Sequence, residues 1–139
     1  MSKRAKRRIP PRRKVSSGLT HGSVFNCADN SGARVLRLIQ VLGYKGRHRR
    51  LGSAGVGDLV MVSCREGNTE MRRQMFNAVI VRQRKPYRRK DGSWIHFEDN
   101  AAIILTPEGT IRGSDIKGPV AREAVDRFAR LGTVSRMVV

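Results

Sequence analysis

Acidic residues are scarce in this sequence. Eleven Asp and Glu stand against 29 Lys and Arg, the formal net charge is +18, and the first acid is Asp29. A chain that needed only solubility would intersperse charges of both signs. An excess of one sign destabilises a compact free chain by self-repulsion, which a polyanion relieves. The shortage of acids therefore favours a nucleic-acid partner over a purely solvated surface.

The few acids also argue against catalysis. Most of them stand at predicted turns or on a predicted C-terminal helix, and the one adjacent pair, Glu98 and Asp99, falls at a turn. No nucleophile and base show the arrangement that a mechanism requires. We predict that the protein is not an enzyme and has no catalytic residues. An activity on RNA that disappears on changing Asp58 or Glu98 would contradict this prediction.

Cysteine and long apolar runs are equally rare. Cys27 and Cys64 lie far apart, without a CxxC motif or a nearby His pair, so we expect no metal site. Buried reduced thiols are favoured over a disulfide. No apolar run approaches the roughly 18 residues of a membrane span. The basic N-terminus leads into Ile9-Pro10-Pro11 rather than a signal-peptide core, so we expect an intracellular protein with no membrane partner and no cofactor.

Arginine is abundant instead, at 22 of the 29 basic residues. Its planar guanidinium group bonds phosphate with two hydrogen bonds and stacks on bases. Most of the basic residues lie in three dense clusters, the first at residues 3–14, the second at 45–50 and the third at 82–90. A membrane surface is disfavoured as the partner because no basic helix carries bulky apolar residues opposite the charges. The residues that we predict to bind RNA are Lys3, Arg4, Arg7, Arg8, Arg12, Arg13, Lys45, Arg47, Arg49, Arg50, Arg82, Arg84, Lys85, Tyr87, Arg88, Arg89 and Lys90.

Short strand patterns alternate with turn residues between residues 23 and 112. The predicted strands are Val24–Asp29, Ala33–Leu42, Asp58–Arg65, Phe76–Lys85, Ser93–Glu98, Ala101–Thr106 and Thr110–Arg112. This regular spacing is typical of a small antiparallel barrel in a mostly β protein. Because the run at 101–105 is apolar on both faces, another segment must cover the outside of the barrel.

The C-terminal segment is the predicted cover. Its helical pattern opens at Pro119 and ends at Gly132, with an apolar stripe formed by Val120, Ala121, Ala124, Val125, Phe128 and Leu131. The chain thus divides into a basic arm that is disordered without a partner, an RNA-binding barrel and a C-terminal helical segment packed on it. Their predicted bounds are residues 1–17, 18–113 and 114–139.

The dipeptide Asp91-Gly92 predicts a hairpin turn within the third basic cluster. Guanidinium groups on its two strands are predicted to project beyond the barrel wall, from Arg82, Arg84, Arg88 and Arg89. Tyr87 and Trp94 are placed to stack on an exposed base or sugar, although Trp94 fits an ordinary core or edge aromatic equally well. The glycine-flanked loop at residues 45–50 suits a phosphate-rich concavity.

Four stretches carry a resemblance to a known family: NCADNSGAR (26–34), AGVGDLVMV (54–62), AVIVRQRKPYRRKDGSWIHFEDNAAIIL (78–105) and RGSDIKGPVAREAVD (112–126). Over about residues 18–130 the chain closely resembles the universal large-subunit ribosomal protein fourteen family, in its archaeal and eukaryotic branch. The resemblance implies a five-stranded barrel with a short helical C-terminal segment. It also implies a structural protein bound to large-subunit ribosomal RNA near the intersubunit face, which supports translation.

The resemblance implies further partners. These are neighbouring large-subunit proteins, notably the third, and small-subunit RNA at an intersubunit bridge. Members also present their C-terminal region to anti-association factors such as initiation factor six, and the polar candidates for such docking here are Arg122, Asp126 and Arg130. The implied location is the cytoplasmic ribosome, with transient passage through the nucleolus if the source is eukaryotic. The alternative function is a free-standing nucleic-acid-binding regulator or RNA chaperone.

Overall fold

The structure, a computed structural model, describes residues 15–139. Most of its elements are strands, and two short helices lie near the C-terminus. In chain order the elements are β1 (Leu19–Thr20), β2 (Val24–Cys27), β3 (Ala33–Val41), β4 (Ser53–Ala54), β5 (Leu59–Gly67), β6 (Met75–Arg82), β7 (Tyr87–Arg88), β8 (Trp94–Ile95), β9 (Ala101–Leu105), β10 (Ile116–Val120), α1 (Arg122–Arg127), α2 (Arg130–Val134) and β11 (Ser135–Val138).

Five strands close into a barrel in the order β2-β3-β5-β6-β9, which confirms the expected fold. The four pairs from β2 to β9 along this order are antiparallel. The closing pair, β2 with β9, is parallel, and Asn26 lies opposite Ala101. An odd number of strands explains this: when direction alternates around the barrel, the first and fifth strands run the same way.

The core has two parts, one inside the barrel and one on its outer wall. Successive residues of a strand point to opposite faces, so Val60, Ile80 and Ile104 fill the interior while Val79 and Ile103 face outward. The outward side chains pack against residues of the C-terminal segment, namely Ile116, Val120, Ala121, Ala124 and Leu131. The expectation that this segment covers the barrel is confirmed.

The C-terminal segment is not the single helix that its periodicity predicts. Pro119 lies in β10, Gly132 lies inside α2, and β11 pairs with β10 in parallel. Backbone pairing to the barrel explains the difference, because the Lys117 N–H donates to the Ala28 carbonyl at 2.7 Å. Along the chain, the segment docks on the barrel as strand β10 and then continues into its two short helices. A hydrophobic stripe alone does not reveal such docking.

Apart from Arg82, the last residue of β6, the third basic cluster lies on a two-stranded ribbon, residues 83–100, and not on an extension of the barrel strands. β6 ends at Arg82, and β7 and β8 form a separate short ladder. At the tip, the Gly92 N–H donates to the Arg89 carbonyl at 3.0 Å. Gly92 has a φ of +91°, which glycine adopts without strain. The predicted turn at Asp91-Gly92 is therefore confirmed, and the strands around it are shorter than predicted.

Buried polar side chains in the described range all have hydrogen-bond partners. Asp58 accepts from the Gly55 N–H at 2.7 Å and lies 3.4 Å from Nη1 of Arg127, which ties α1 to the start of β5. Asp58 therefore has a structural role. Across residues 15–139, no helix is long and apolar enough to cross a bilayer, and no group of His, Cys, Asp or Glu could hold a metal ion.

The two cysteines are free, as expected, and both have raised pKa values. Burial is the main cause for each thiol, and Asp29, which accepts a hydrogen bond from Cys27 Sγ at 3.0 Å, raises the pKa of Cys27 further. Because the thiolate is the reactive species, we expect both thiols to react with Ellman's reagent at least about tenfold more slowly in the folded protein than in urea. Equal rates would contradict this burial.

Candidate nucleic-acid interface

Two of the three basic clusters lie on chain segments that leave the same end of the barrel. β3 and β6 both run antiparallel to β5, so both end where β5 begins. Val41, the last residue of β3, lies opposite Val60, and Val79 of β6 lies opposite Leu59. The loop at residues 43–52 follows β3 and carries the second cluster, while the ribbon follows β6 and carries the third. The topology thus brings together clusters that are distant in sequence.

The start of the described chain joins this end through one buried side chain. Gln83 is fully buried, and its Oε1 accepts from the Val56 N–H at 3.1 Å. Its Nε2 donates to the carbonyls of Ser16 at 2.8 Å and Lys85 at 3.0 Å. Gln83 therefore links the segment 15–20, the approach to β5 and the ribbon. The first basic cluster immediately precedes this segment in the chain.

We call the segment 15–20, the loop 43–52 and the ribbon the basic end of the barrel. Eight of the predicted RNA-binding residues are exposed on it, namely Lys45, Arg47, Arg49, Arg50, Arg84, Lys85, Arg88 and Lys90. The predicted contacts of the first cluster lie outside the described residues; they are Lys3, Arg4, Arg7, Arg8, Arg12 and Arg13. Exposed guanidinium and ammonium groups on adjoining segments can neutralise several phosphates of one RNA at once.

Arg82 faces inward, so the prediction that it projects beyond the barrel wall is wrong. It is 8% exposed, and its Nε and Nη2 bond the two carboxylate oxygens of Asp99 at 3.0 and 3.2 Å. Its Nη1 donates to the carbonyls of Lys117 and Pro119 at 2.7 and 3.1 Å. Those bonds fasten β10 to the barrel. Four of the five N–H groups of this guanidinium are thus bonded within the protein, and the group is not offered to phosphate.

Tyr87 and Arg89 also turn away from solvent, which corrects the predicted stacking of Tyr87 and the predicted projection of Arg89. Tyr87 is fully buried and its hydroxyl donates to Oε2 of Glu123 at 2.8 Å, so its ring is not available to a base. The Nε of Arg89 donates to Oε1 of Glu123 at 2.7 Å, and its Nη2 donates to the main-chain oxygen of Val139 at 2.7 Å. These two side chains instead fasten the ribbon to α1 and β11.

The ion pair between Arg89 and Glu123 shifts the pKa values of both groups. Burial raises the pKa of Glu123, but the hydrogen bonds from Arg89, its own backbone and Tyr87 outweigh it and hold the pKa below its usual 4.5. The same bond to Glu123 raises the pKa of Arg89. Burial, together with the hydrogen bond to Glu123, raises the pKa of Tyr87 well above its usual value. At neutral pH, Glu123 and Arg89 are therefore charged and Tyr87 is uncharged.

The three predicted docking residues of the C-terminal segment, Arg122, Asp126 and Arg130, are exposed. Arg122 and Asp126 line a cleft of about 660 Å³ together with Arg88 and Lys90 of the ribbon. Arg130 lines a different cleft, of about 400 Å³, between the two helices and the loop after β9. The structure therefore places two of these residues beside the basic end and the third away from them.

The chain matches a family model described as ribosomal protein L14p/L23e over residues 18–139. The match covers the barrel, the ribbon and the whole C-terminal segment. The chain belongs to this family. The resemblance inferred from the sequence motifs is confirmed, and so is the prediction that the protein is not an enzyme.

Relatives within the family are similar over nearly their full length. The large ribosomal subunit protein uL14 of Thermoplasma acidophilum is 50% identical over 122 residues, which cover 88% of this chain and 92% of the relative. The protein of the same name from Saccharolobus solfataricus is 49% identical over 128 residues, 92% of this chain and 93% of the relative. The Thermoplasma volcanium protein is 50% identical over 122 residues, with 88% and 92% covered.

Two residues that organise the basic end were missed in the sequence. Gln83 follows an aliphatic strand directly, and nothing in the pattern marks it as a buried link. Glu123 offered a signal, because it lies three positions after Val120, on the edge of the apolar stripe. If an acid at such a position is buried, it needs a basic partner.

Proposed function

We propose that this large-subunit ribosomal protein binds ribosomal RNA through the basic end of its barrel. The family makes the chain a structural component of the large subunit. The observation that carries the RNA-binding proposal is that two basic clusters, on the loop 43–52 and on the ribbon, leave the same end of the barrel, where Gln83 also bonds the segment 15–20. The exposed cations come from separate segments, so they can follow a folded RNA surface rather than a single strand.

The binding works by phosphate neutralisation and shape. The guanidinium groups of the loop 43–52 and of the ribbon donate hydrogen bonds to phosphate oxygens. The ordered barrel holds these groups in fixed relative positions. The predicted arm, residues 1–17, contains eight further basic residues. A surface that makes 6–10 phosphate contacts loses roughly 10³–10⁵ in affinity between 50 and 200 mM salt. We therefore expect binding to depend steeply on ionic strength.

The finer partners follow from the family resemblance and remain part of the proposal. They are the third large-subunit protein, small-subunit RNA at an intersubunit bridge, and an anti-association factor such as initiation factor six. The exposure of Arg122, Asp126 and Arg130 supports a docking role for the C-terminal segment. The proposed site of action is the cytoplasmic ribosome, with assembly in the nucleolus if the source is eukaryotic.

A sedimentation experiment tests the function directly. The tagged full-length protein is expressed in cells of its source organism. Extracts are run on sucrose gradients after a moderate-salt wash. We expect one copy per large subunit in the subunit peak. Protein that stays at the top of the gradient would overturn the proposal and would indicate a free-standing regulator or RNA chaperone.

A further inference from the structure

The ribbon has an inner and an outer face with opposite character. Tyr87 pairs with Ile95 across β7 and β8, and Arg88 pairs with Trp94. Neighbouring positions on a strand point to opposite sides. Tyr87 is fully buried against the C-terminal segment, whereas Trp94 is 65% exposed. Trp94 and Arg88 therefore form the solvent-facing surface of the ribbon.

The ribbon that carries the exposed indole ring also carries several exposed cations. Arg84, Lys85 and Lys90 are exposed on the same ribbon. Arg88 reaches toward the turn, and its Nη2 lies 3.9 Å from where a Cβ on Gly92 would be. A single exposed apolar side chain needs no special explanation. An exposed aromatic ring that is paired across the strands with an exposed arginine, on a ribbon with further cations, is complementary to a nucleotide, which combines a flat base with an anionic phosphate.

Contacts on its inner face and at its base also hold the ribbon rigidly. On its inner side, Tyr87 and Arg89 bond Glu123, and at its base the Phe97 N–H donates to the Gln83 carbonyl at 3.1 Å. These contacts fix the position of the outer face before any ligand arrives. A fixed surface loses less conformational entropy on binding than a flexible one.

We propose that Trp94 and Arg88 bind one unpaired nucleotide of the ribosomal RNA, with its base stacked on the indole and its phosphate on the guanidinium group. The nucleotide is unpaired because bases inside a duplex are already stacked and cannot reach an aromatic side chain. This inference rests on the RNA binding proposed above and names the RNA feature that one part of the basic end recognises.

The chain's single tryptophan makes the test direct, because tryptophan emission, excited at a wavelength that tyrosine does not absorb, reports on Trp94 alone. The full chain is titrated with two dye-labelled RNA hairpins that differ only by one bulged adenosine. Dye anisotropy gives affinity, and indole emission reports stacking. We expect both hairpins to bind, the bulged one more tightly, with indole quenching by the bulged hairpin only.

Variants separate stacking from general attraction. Trp94→Ala should weaken binding of the bulged hairpin roughly five- to a hundredfold and abolish the preference for it, while Trp94→Phe should keep the preference. Leu51, which is 71% exposed at the same basic end, supplies the control Leu51→Ala, and this variant should keep the preference. Arg88→Gln should lower the salt dependence of binding by about one phosphate contact.

The outcomes distinguish this inference from the proposed function. Equal binding of both hairpins without quenching would overturn the nucleotide site and leave RNA binding intact. Quenching that appears only when other large-subunit proteins are added would also overturn it, since the indole would then contact protein. Failure to bind either hairpin at low salt would overturn the proposed RNA binding itself.

Discussion

The triple variant Arg47→Glu, Arg50→Glu, Arg84→Glu is expected to bind protein-free large-subunit RNA on the order of a hundredfold more weakly than the unaltered protein. All three side chains are exposed on the basic end. Losing three phosphate contacts should also reduce the slope of log affinity against log salt by about two to three. Filter binding over a series of salt concentrations measures both quantities.

The matched control changes three exposed arginines at the other end of the barrel. Arg34 lies at the start of β3, and Arg65 and Arg72 lie near the turn from β5 to β6. Their replacement by Glu leaves the same net charge as the first variant. We expect this control to lose at least about tenfold less affinity, because its charges lie far from the proposed contacts. Equal losses would show that only net charge matters.

The variant Glu123→Ala is expected to lose about 3 kcal/mol of folding stability. It leaves the Arg89 guanidinium group, which is 15% exposed, without its counter-charge, and the buried Tyr87 hydroxyl without its acceptor. Urea unfolding followed by circular dichroism measures the loss. The control Glu108→Ala removes an exposed acid and should change stability by less than about 0.5 kcal/mol. A small loss in both variants would mean that Glu123 does not fasten the ribbon.

The same carboxylate predicts an acid dependence. Because the pKa of Glu123 is lower in the folded state than its usual 4.5, its ion pair contributes full stability above that value. The contribution is lost as the pH falls through the depressed folded-state pKa. The unaltered protein should therefore lose more stability than Glu123→Ala between neutral pH and acid conditions below 4.5. Parallel stability curves for the two proteins would contradict the ion pair.

Local patterns predicted the barrel strands well. The alternation of Val79, Ile80 and Val81 and the both-sided apolar run of β9 required a filled interior and a covered outer wall, and the structure has both. The turn at Asp91-Gly92 was predictable because only certain residues tolerate its backbone angles. These features depend on neighbours in sequence, so a single chain contains the information.

The directions of individual arginines were not predictable in the same way. A register shift lies between Ile80 and Arg82, where β6 pairs with β9, and such a shift re-aims side chains. Arg82 then finds Asp99 and the backbone of β10, while Arg89 finds Glu123. Each of these partners lies far from its arginine in the sequence. A cluster that looks uniform in sequence therefore divides into structural arginines and exposed ones.

Composition was sufficient to identify the class of partner, because net charge and the density of guanidinium groups do not depend on how the chain folds. Motif spacing was sufficient to identify the family. The shape of the proposed contact surface required the folded molecule. Barrel closure brings the loop 43–52 and the ribbon to one end, and Gln83 joins the segment 15–20 to them. That meeting is a long-range property, since it arises from strand pairing and buried hydrogen bonds between distant segments.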